Sequence, residues 1–303
     1  MVDYKKILKS RELRLRILSL LSWVPDKTMV KIQYRIKTGR KLNLKNPQRF
    51  TEKLQKYKLE YRDPVMKQCV DKYEVRNYLE KRGYSKILNR LYAVYEKPED
   101  VDLHKLPDRF VVKDTIGGGS NAVLIVDKNN RNYDEKRIEE TIKKWLRMKP
   151  GKSVSREWPY DFLQHRVIVE EYLEQENKDL DDYKFFCFNG KVEYFYKRSG
   201  YAKNHNNGEM SFYSRDKKWL KGVGVDYCDI SIAKQELCNN IDEMIVLAEK
   251  LSKSFPHVRV DFYNVNGKII FGELTFFNAG GYMVFKPDSF DFVIGKRFKI
   301  GWR

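Results

Sequence analysis

Val258-Arg259-Val260-Asp261-Phe262-Tyr263 and Lys268-Ile269-Ile270-Phe271-Gly272-Glu273-Leu274-Thr275 are two runs rich in β-branched and aromatic residues, joined through Asn266-Gly267. An Asn-Gly pair between such runs is a strong local signal for a tight antiparallel hairpin. If the hairpin is in phase, the carboxylates of Asp261 and Glu273 come close on one face. Arg259, two residues before Asp261, then points the same way. Hard oxygens so placed suit Mg²⁺, and a guanidinium beside them suits the charge that develops on a transferring phosphoryl group. Taken alone, a surface salt bridge of Arg259 with a carboxylate explains the same residues.

Working outward, residues 183–188 and 192–197 flank Asn189-Gly190 in the same way, which predicts an antiparallel sheet. Residues 231–255 carry Ile241, Met244, Ile245, Leu247, Ala248 and Leu251 at helical spacing, as a helix laid on that sheet would. Upstream, Phe110-Val111-Val112-Lys113 and residues 122–126 read as strands around Gly117-Gly118-Gly119-Ser120-Asn121. The N–H groups of a loop without β-carbons approach phosphate oxygens closely, with the Lys113 ammonium nearby as a point charge. A plain flexible turn has the same composition. Helices are expected over 134–148, after the Asn46-Pro47 turn, and from Asp63-Pro64 through Gly83, with a strand at 167–169. The stretch 199–222 is polar and glycine-punctuated, as a substrate loop or plain surface would be.

Composition narrows the class. With 17 Phe, 20 Tyr and 5 Trp in 303 residues, the chain has the aromatic material of a packed core and is not a disordered tail. Its length predicts at least two lobes. The four cysteines, Cys69, Cys187, Cys228 and Cys238, form no Cys-x-x-Cys pair, which excludes a zinc ribbon or disulfide framework and fits a reducing cytoplasm. No Ser-His-Asp arrangement stands out, and His104, His165, His205 and His257 lack partners at metal spacing. The longest uncharged N-terminal stretch, residues 17–25, is too short to span a bilayer, and no small-residue cleavage site follows it.

Net charge is +18, and the first 50 residues hold 14 Lys and Arg against three acids. Basic residues there interleave with Ile7, Leu8, Leu13, Leu15, Ile17, Leu18, Leu20 and Leu21, as in a helix with an apolar stripe. Such a helix lies on anionic lipid or packs on the protein's own body. Nucleic acid is not expected, because no recognised nucleic-acid motif accompanies the charge.

The order of the pieces resembles the ATP-grasp superfamily, and within it the TupA-like family of polysaccharide and teichuronopeptide biosynthesis. The likeness rests on Asn46-Pro47 with Phe50-Thr51-Glu52-Lys53, Asp71-Lys72 with Arg76, Leu106-Pro107 with Phe110-Val111-Val112-Lys113, Asp182-Tyr183-Lys184-Phe185 with Cys187-Phe188-Asn189-Gly190, residues 258–263, and residues 271–276. It spans roughly residues 46 to 300. The resemblance implies an α+β fold of two lobes gripping MgATP. The segments would be a basic arm at 1–45, a helical region at 46–106, a lobe with the glycine-rich hairpin at 107–170, and a lobe with the metal-binding sheet at 171–303.

By the same resemblance Lys72 and Lys113 match phosphate-contacting lysines, and Gly117, Gly118, Gly119 and Ser120 the loop over the phosphates. Glu170 or Glu171 would receive the adenine amino group, the Glu171 and Leu173 main chain would meet the ring, and Asp182 the ribose. Asp261 and Glu273 match metal-binding carboxylates, and Arg259 the arginine that steadies the acyl-phosphate transition state. Where many ATP-grasp ligases have Glu-x-Asn, this chain has Glu273-Leu274-Thr275, leaving Thr275 or Asn278 as a further ligand. Lys184, Lys197 and Arg198 are expected to face phosphates or an acidic substrate on one cleft, unless they form structural ion pairs. The activity implied is an ATP- and Mg²⁺-dependent carboxylate–amine ligase. It would join an amino acid or small amine to an acidic or amino sugar of a cell-surface glycan, in the cytoplasm and near the membrane. A sugar kinase, a glycosyltransferase and a non-catalytic assembly protein are the alternatives.

Overall fold

The computed structural model describes residues 11–175, 179–200 and 208–301. Contacts divide the chain into a larger unit, Met1–Asp63, Lys152–Trp158 and Glu176–Arg303, and a smaller one, Pro64–Gly151 and Pro159–Gln175. Helices α1 (Arg11–Leu20), α2 (Asp26–Thr38) and α3 (Phe50–Glu60) open the larger unit. The smaller unit holds α4 (Val65–Val70), α5 (Glu74–Glu80), β1 (Leu91–Tyr95), β2 (Arg109–Asp114), β3 (Val123–Asp127), α6 (Glu135–Leu146) and β4 (Val167–Glu171). The chain then returns to the larger unit as β5 (Asp181–Phe188), β6 (Lys191–Ser199), β7 (Glu209–Ser214), β8 (Gly224–Val225) and β9 (Asp229–Ile230). It ends with α7 (Ile241–Ser252), β10 (His257–Val265), β11 (Lys268–Thr275), β12 (Phe285–Lys286) and α8 (Phe290–Gly295). Both units are α+β.

The smaller sheet is antiparallel in the order β1-β4-β2-β3. Its core joins Phe110, Val112, Val167 and Val169 to Ile142, Trp145 and Leu146 of α6. That helix starts where Asp134 accepts the Arg137 N–H at 3.1 Å, a side-chain N-cap. The helical run expected from 64 to 83 is broken in two, because Asp71 accepts the N–H groups of Tyr73 and Glu74 at 2.8 and 2.9 Å and starts α5 afresh.

The larger sheet runs β11-β10-β5-β6-β7-β9, antiparallel except for the parallel pair β7–β9. Both Asn-Gly turns have positive φ at each residue, 50° and 76° at Asn189-Gly190 and 50° and 85° at Asn266-Gly267, which matches strand twist. Helix α7 lies on one face, where the Cys187 thiol meets the Ala248 carbonyl. It begins only at Ile241, residues 231–240 of the expected helical run being loop and turn. On the other face, Phe50 of α3 meets Phe186 and His257 edge-on at 5.9 and 5.1 Å, and His257 stacks on Phe188 at 4.8 Å. Asp291 of α8 holds α3 there by accepting the Thr51 N–H and hydroxyl at 3.0 and 2.8 Å.

Two sequence readings change. Residues 209–214, within the stretch read as a substrate loop, are strand β7 with Met210, Phe212 and Tyr213 buried. Residues 201–207 of that stretch lie outside the described residues, as do the first ten residues of the expected basic arm. In the rest of the arm, α2 packs on the protein's own body, one of the two expectations for it: it buries Met29, Val30 and Tyr34, with Val30 and Tyr34 in one cluster with Leu42 and Tyr282. The two compact units also cut the chain differently from the expected segments, because α3 packs with α8 while α4 and α5 join the smaller unit. Among the described residues no helix is long and apolar enough to cross a membrane.

Burial in the aromatic cluster pushes His257 down to about 4, so the ring is neutral at pH 7. The unfolded chain takes up this proton near pH 6.5 and the folded chain only near 4, so the stabilisation is present above 6.5 and lost as pH falls towards 4. Urea unfolding is expected to show a loss of about 2 kcal/mol between pH 7 and pH 5 from this residue, absent in His257→Phe.

Candidate active site

In β10–β11 the register pairs Arg259 with Thr275 and Asp261 with Glu273, then shifts so that Phe262 pairs with Phe271. Gly272 is the extra residue of a β-bulge. Without it, Phe271 and Glu273 would share a face. With it, Phe271 meets Phe262 at 6.5 Å while Glu273 joins Asp261 on the opposite face. A β-carbon at Gly272 would stand 3.1 Å from the Asp261 carbonyl oxygen.

The result is a dense ion cluster on the central strand. Arg259 donates through Nε to Asp261 Oδ1 at 2.6 Å, and through Nη2 to Asp261 Oδ2 at 2.6 Å, Glu273 Oε1 at 2.8 Å and Thr275 Oγ1 at 3.0 Å. The Thr275 hydroxyl donates in turn to Glu273 Oε1 at 2.7 Å. From β5, Lys184 Nζ reaches Asp261 Oδ2 at 2.6 Å and Asp182 Oδ2 at 2.8 Å. Burial opposes the charges of Arg259 and Lys184, yet the carboxylates around them hold both well above their usual values. Burial pushes the Asp261 carboxyl up, against the pull of Arg259 and Lys184.

Asp261 and Glu273 fit Mg²⁺ by donor chemistry. They are hard oxygens opposite one another, and the Glu273 side chain is 47% exposed, open to approach from solvent. Mg²⁺ commonly takes one or two protein carboxylates and completes its octahedron with phosphate and water. Among the described residues no group of three or more His, Cys, Asp or Glu is arranged to hold a metal by itself, so such outside ligands are required. Asn278 is elsewhere in the hydrogen-bond pattern: its amide is buried and meets His257 Nε2 at 3.4 Å. The neutral ring directs its Nδ1–H to the Cys187 carbonyl at 2.9 Å, so Nε2 is an acceptor and the Asn278 amide must turn its NH₂ towards it.

The register also separates two residues read together. Lys197 pairs with Tyr183, whereas Arg198 pairs with Asp182 and Lys184 with Tyr196. Lys197 therefore sits on the α7 face, bound to Asp181 at 2.8 Å and the Glu236 carbonyl at 2.9 Å, while Lys184 and Arg198 share the face of Asp261. The expectation of all three on one cleft is corrected by this alternation.

In the smaller unit Lys113 and Glu170 come from neighbouring strands and form an ion pair at 2.6 Å, with Arg76 on the other Glu170 oxygen at 3.0 Å. Glu171, next along β4, points to the opposite face, and its N–H and carbonyl are bonded to the Arg90 carbonyl and the Asn89 amide at 2.9 and 2.8 Å. Its N–H is thus committed within the protein, in contrast to the expected adenine contact. Leu173 lies just past the strand. Lys72 donates to the carbonyls of Asp114, Thr115 and Gly117 at 2.9, 3.3 and 2.6 Å, so its ammonium anchors the start of the glycine-rich loop. Gly117 is required by space, since a β-carbon would fall 2.4 Å from that of Ala122, and Gly119 by its φ of 74°. Gly118 has open space around it, and Ser120 begins a single 3₁₀ turn. Arg76 is read from the sequence only as part of the motif with Asp71 and Lys72 and given no site role; its place in that motif is the signal that could have found it.

A family model described as TupA-like ATPgrasp matches residues 52–299. No curated protein matches. Among solved structures the chain is similar to a D-alanine–D-alanine ligase from Bacillus anthracis, with 20% identity over 69% of this chain and 57% of that one, at a TM-score of 0.41. It is also similar to the corresponding ligase from Helicobacter pylori, with 15% identity, 76% and 61% coverage and a TM-score of 0.40. A phosphoribosylamine–glycine ligase from Thermotoga maritima gives 13%, 70% and 48%, and 0.42. The chain thus spans little more than half the length of the first of these.

Gly272→Ala is expected to force the Asp261 main chain aside and cost about 1–3 kcal/mol, while Gly118→Ala, with nothing within 4 Å, changes stability little. Urea midpoints of the two variants check the contrast.

Proposed function

This chain belongs to the TupA-like ATP-grasp family, and we propose that it is an ATP- and Mg²⁺-dependent carboxylate–amine ligase of cell-surface polysaccharide biosynthesis. The observation that carries this reading is the bulge-set cluster of Arg259, Asp261, Glu273 and Lys184 on one face of the larger sheet. In the reaction a substrate carboxylate oxygen attacks the γ-phosphorus of ATP and ADP leaves. The amine nitrogen then attacks the acyl carbon, the C–N bond forms, and inorganic phosphate departs while the amine gives up a proton to solvent. Neither step needs a nucleophilic side chain; positioning and fixed charge lower the barriers.

Asp261 and Glu273 would hold Mg²⁺, which supplies neutralising charge for the phosphates. Arg259 would steady negative charge on the transferring group, and Lys113 and Lys72 would meet phosphate oxygens once they gave up Glu170 and the loop carbonyls. Lys184 and Arg198 on the Asp261 face favour an acidic acceptor, which supports an acidic sugar, with an amino acid or small amine as the second substrate. Its site would be the cytoplasm, where ATP is available.

Thermal melting with a non-hydrolysable ATP analogue is expected to show a Mg²⁺-dependent rise, amounting to about 2.7 kcal/mol at a ligand concentration of 100 Kd. Lys113→Ala and Glu273→Gln should each lower ADP release at least about a hundredfold. Both positions are partly exposed, so the fold should survive. Amide should appear only when an amine is supplied. Phosphorylated sugar as the end product, with amine present, would instead identify a kinase.

A further inference from the structure

Helix α1 carries Leu13, Ile17 and Leu20 at spacings of four and three, an apolar stripe along one side. None of residues 13–20 is buried; Leu20 is 76% exposed and Trp23, in the following turn, 78%. The turn itself is held in place, because Arg156 donates to the carbonyls of Leu21, Ser22 and Val24 at 2.7, 3.3 and 3.3 Å. Helix α2 buries Met29, Val30, Gln33 and Tyr34 and turns Lys27, Lys31, Ile32, Arg35 and Ile36 outward, with Ile32 47% and Ile36 46% exposed. Large exposed apolar side chains and exposed cations thus alternate along residues 20–36. A short helix with no buried residue among 13–20 is marginal in water, and the exposed Leu20 and Trp23 at its end are the kind of apolar surface that a partner covers.

We propose that the outer faces of α1 and α2, with the turn between them, dock on an anionic lipid membrane. Leu20, Trp23, Ile32 and Ile36 enter the headgroup region, and Lys27, Lys31 and Arg35 meet lipid phosphates. The chemistry selects this occupant. A nucleic acid would use the cations and leave four large apolar groups in water, whereas an anionic bilayer takes both. A second copy of the chain would set two strongly basic patches against each other. The proposal stands on this surface alone and is independent of the nucleotide reading.

The test is co-sedimentation of the full chain with phosphatidylcholine vesicles and with vesicles of phosphatidylcholine and phosphatidylglycerol at 3:1, in 0.1 M and 0.5 M NaCl. Binding is expected to the anionic vesicles, weakened by salt. Leu20→Ser with Trp23→Ser should weaken it about tenfold or more, and Lys27→Gln, Lys31→Gln and Arg35→Gln together about a hundredfold. All five side chains are exposed, so unchanged melting temperatures would verify that each variant folds. No binding to anionic vesicles, wild-type binding by the Leu20/Trp23 variant, or displacement by a DNA duplex at equal phosphate concentration would overturn the proposal. So would a dimer in the ultracentrifuge that these substitutions dissociate.

Discussion

A carboxylate at 2% residue exposure cannot keep a charge without partners, and Asp261 on the central strand β10 is given two cations. Because β10 lies between β11 and β5, partners arrive from its own strand and one neighbour: Arg259 two residues back, Lys184 across. Removing either would leave the buried carboxylates short of one cation, which is costlier than exchanging the whole group for apolar residues. The cluster is therefore weak as a source of stability and strong as a constraint. It ties the register of three strands to the positions of six polar side chains.

Much of this was legible in the sequence. Two Asn-Gly turns mark the hairpins, and alternation along the strand puts Arg259 and Asp261 on one face. What escaped was what alternation cannot encode. The bulge at Gly272 reverses the parity of β11, so that Phe271 and Glu273 part company. Lys197 and Arg198, adjacent and both basic, fall on opposite sides of β6 for the ordinary reason that neighbours do. Strand β7 was hidden because Met210, Phe212 and Tyr213 follow a polar stretch that dominated the reading, and β1 because its short run, Leu91–Tyr95, is only half-buried.

In the smaller unit the lysines matched to phosphate are already satisfied, Lys113 by Glu170 and Lys72 by three carbonyls. Ammonium groups held in this way avoid the cost of unpaired charge while the phosphates are absent. On the proposed function, an incoming polyanion would exchange one set of partners for another instead of meeting bare cations. Arg76 shares Glu170 and would keep it compensated if Lys113 turned away. Such an exchange favours a ligand with several negative oxygens over a singly charged one.

The contacts of α3 also order events during synthesis. Lys53 donates to the carbonyl of Gly295, 242 residues further along the chain, and Phe50 packs against Phe285 and Phe298. At about 5–20 residues per second, the aromatic face of α3 waits on the order of 10–50 s for its partners to leave the ribosome. The smaller unit, whose last strand ends at Glu171, has all its strands in hand well before then. Nascent chains therefore carry a finished lobe beside an unpaired aromatic helix. It is in that interval, more than in the finished protein, that this fold is open to chaperones and to misassociation.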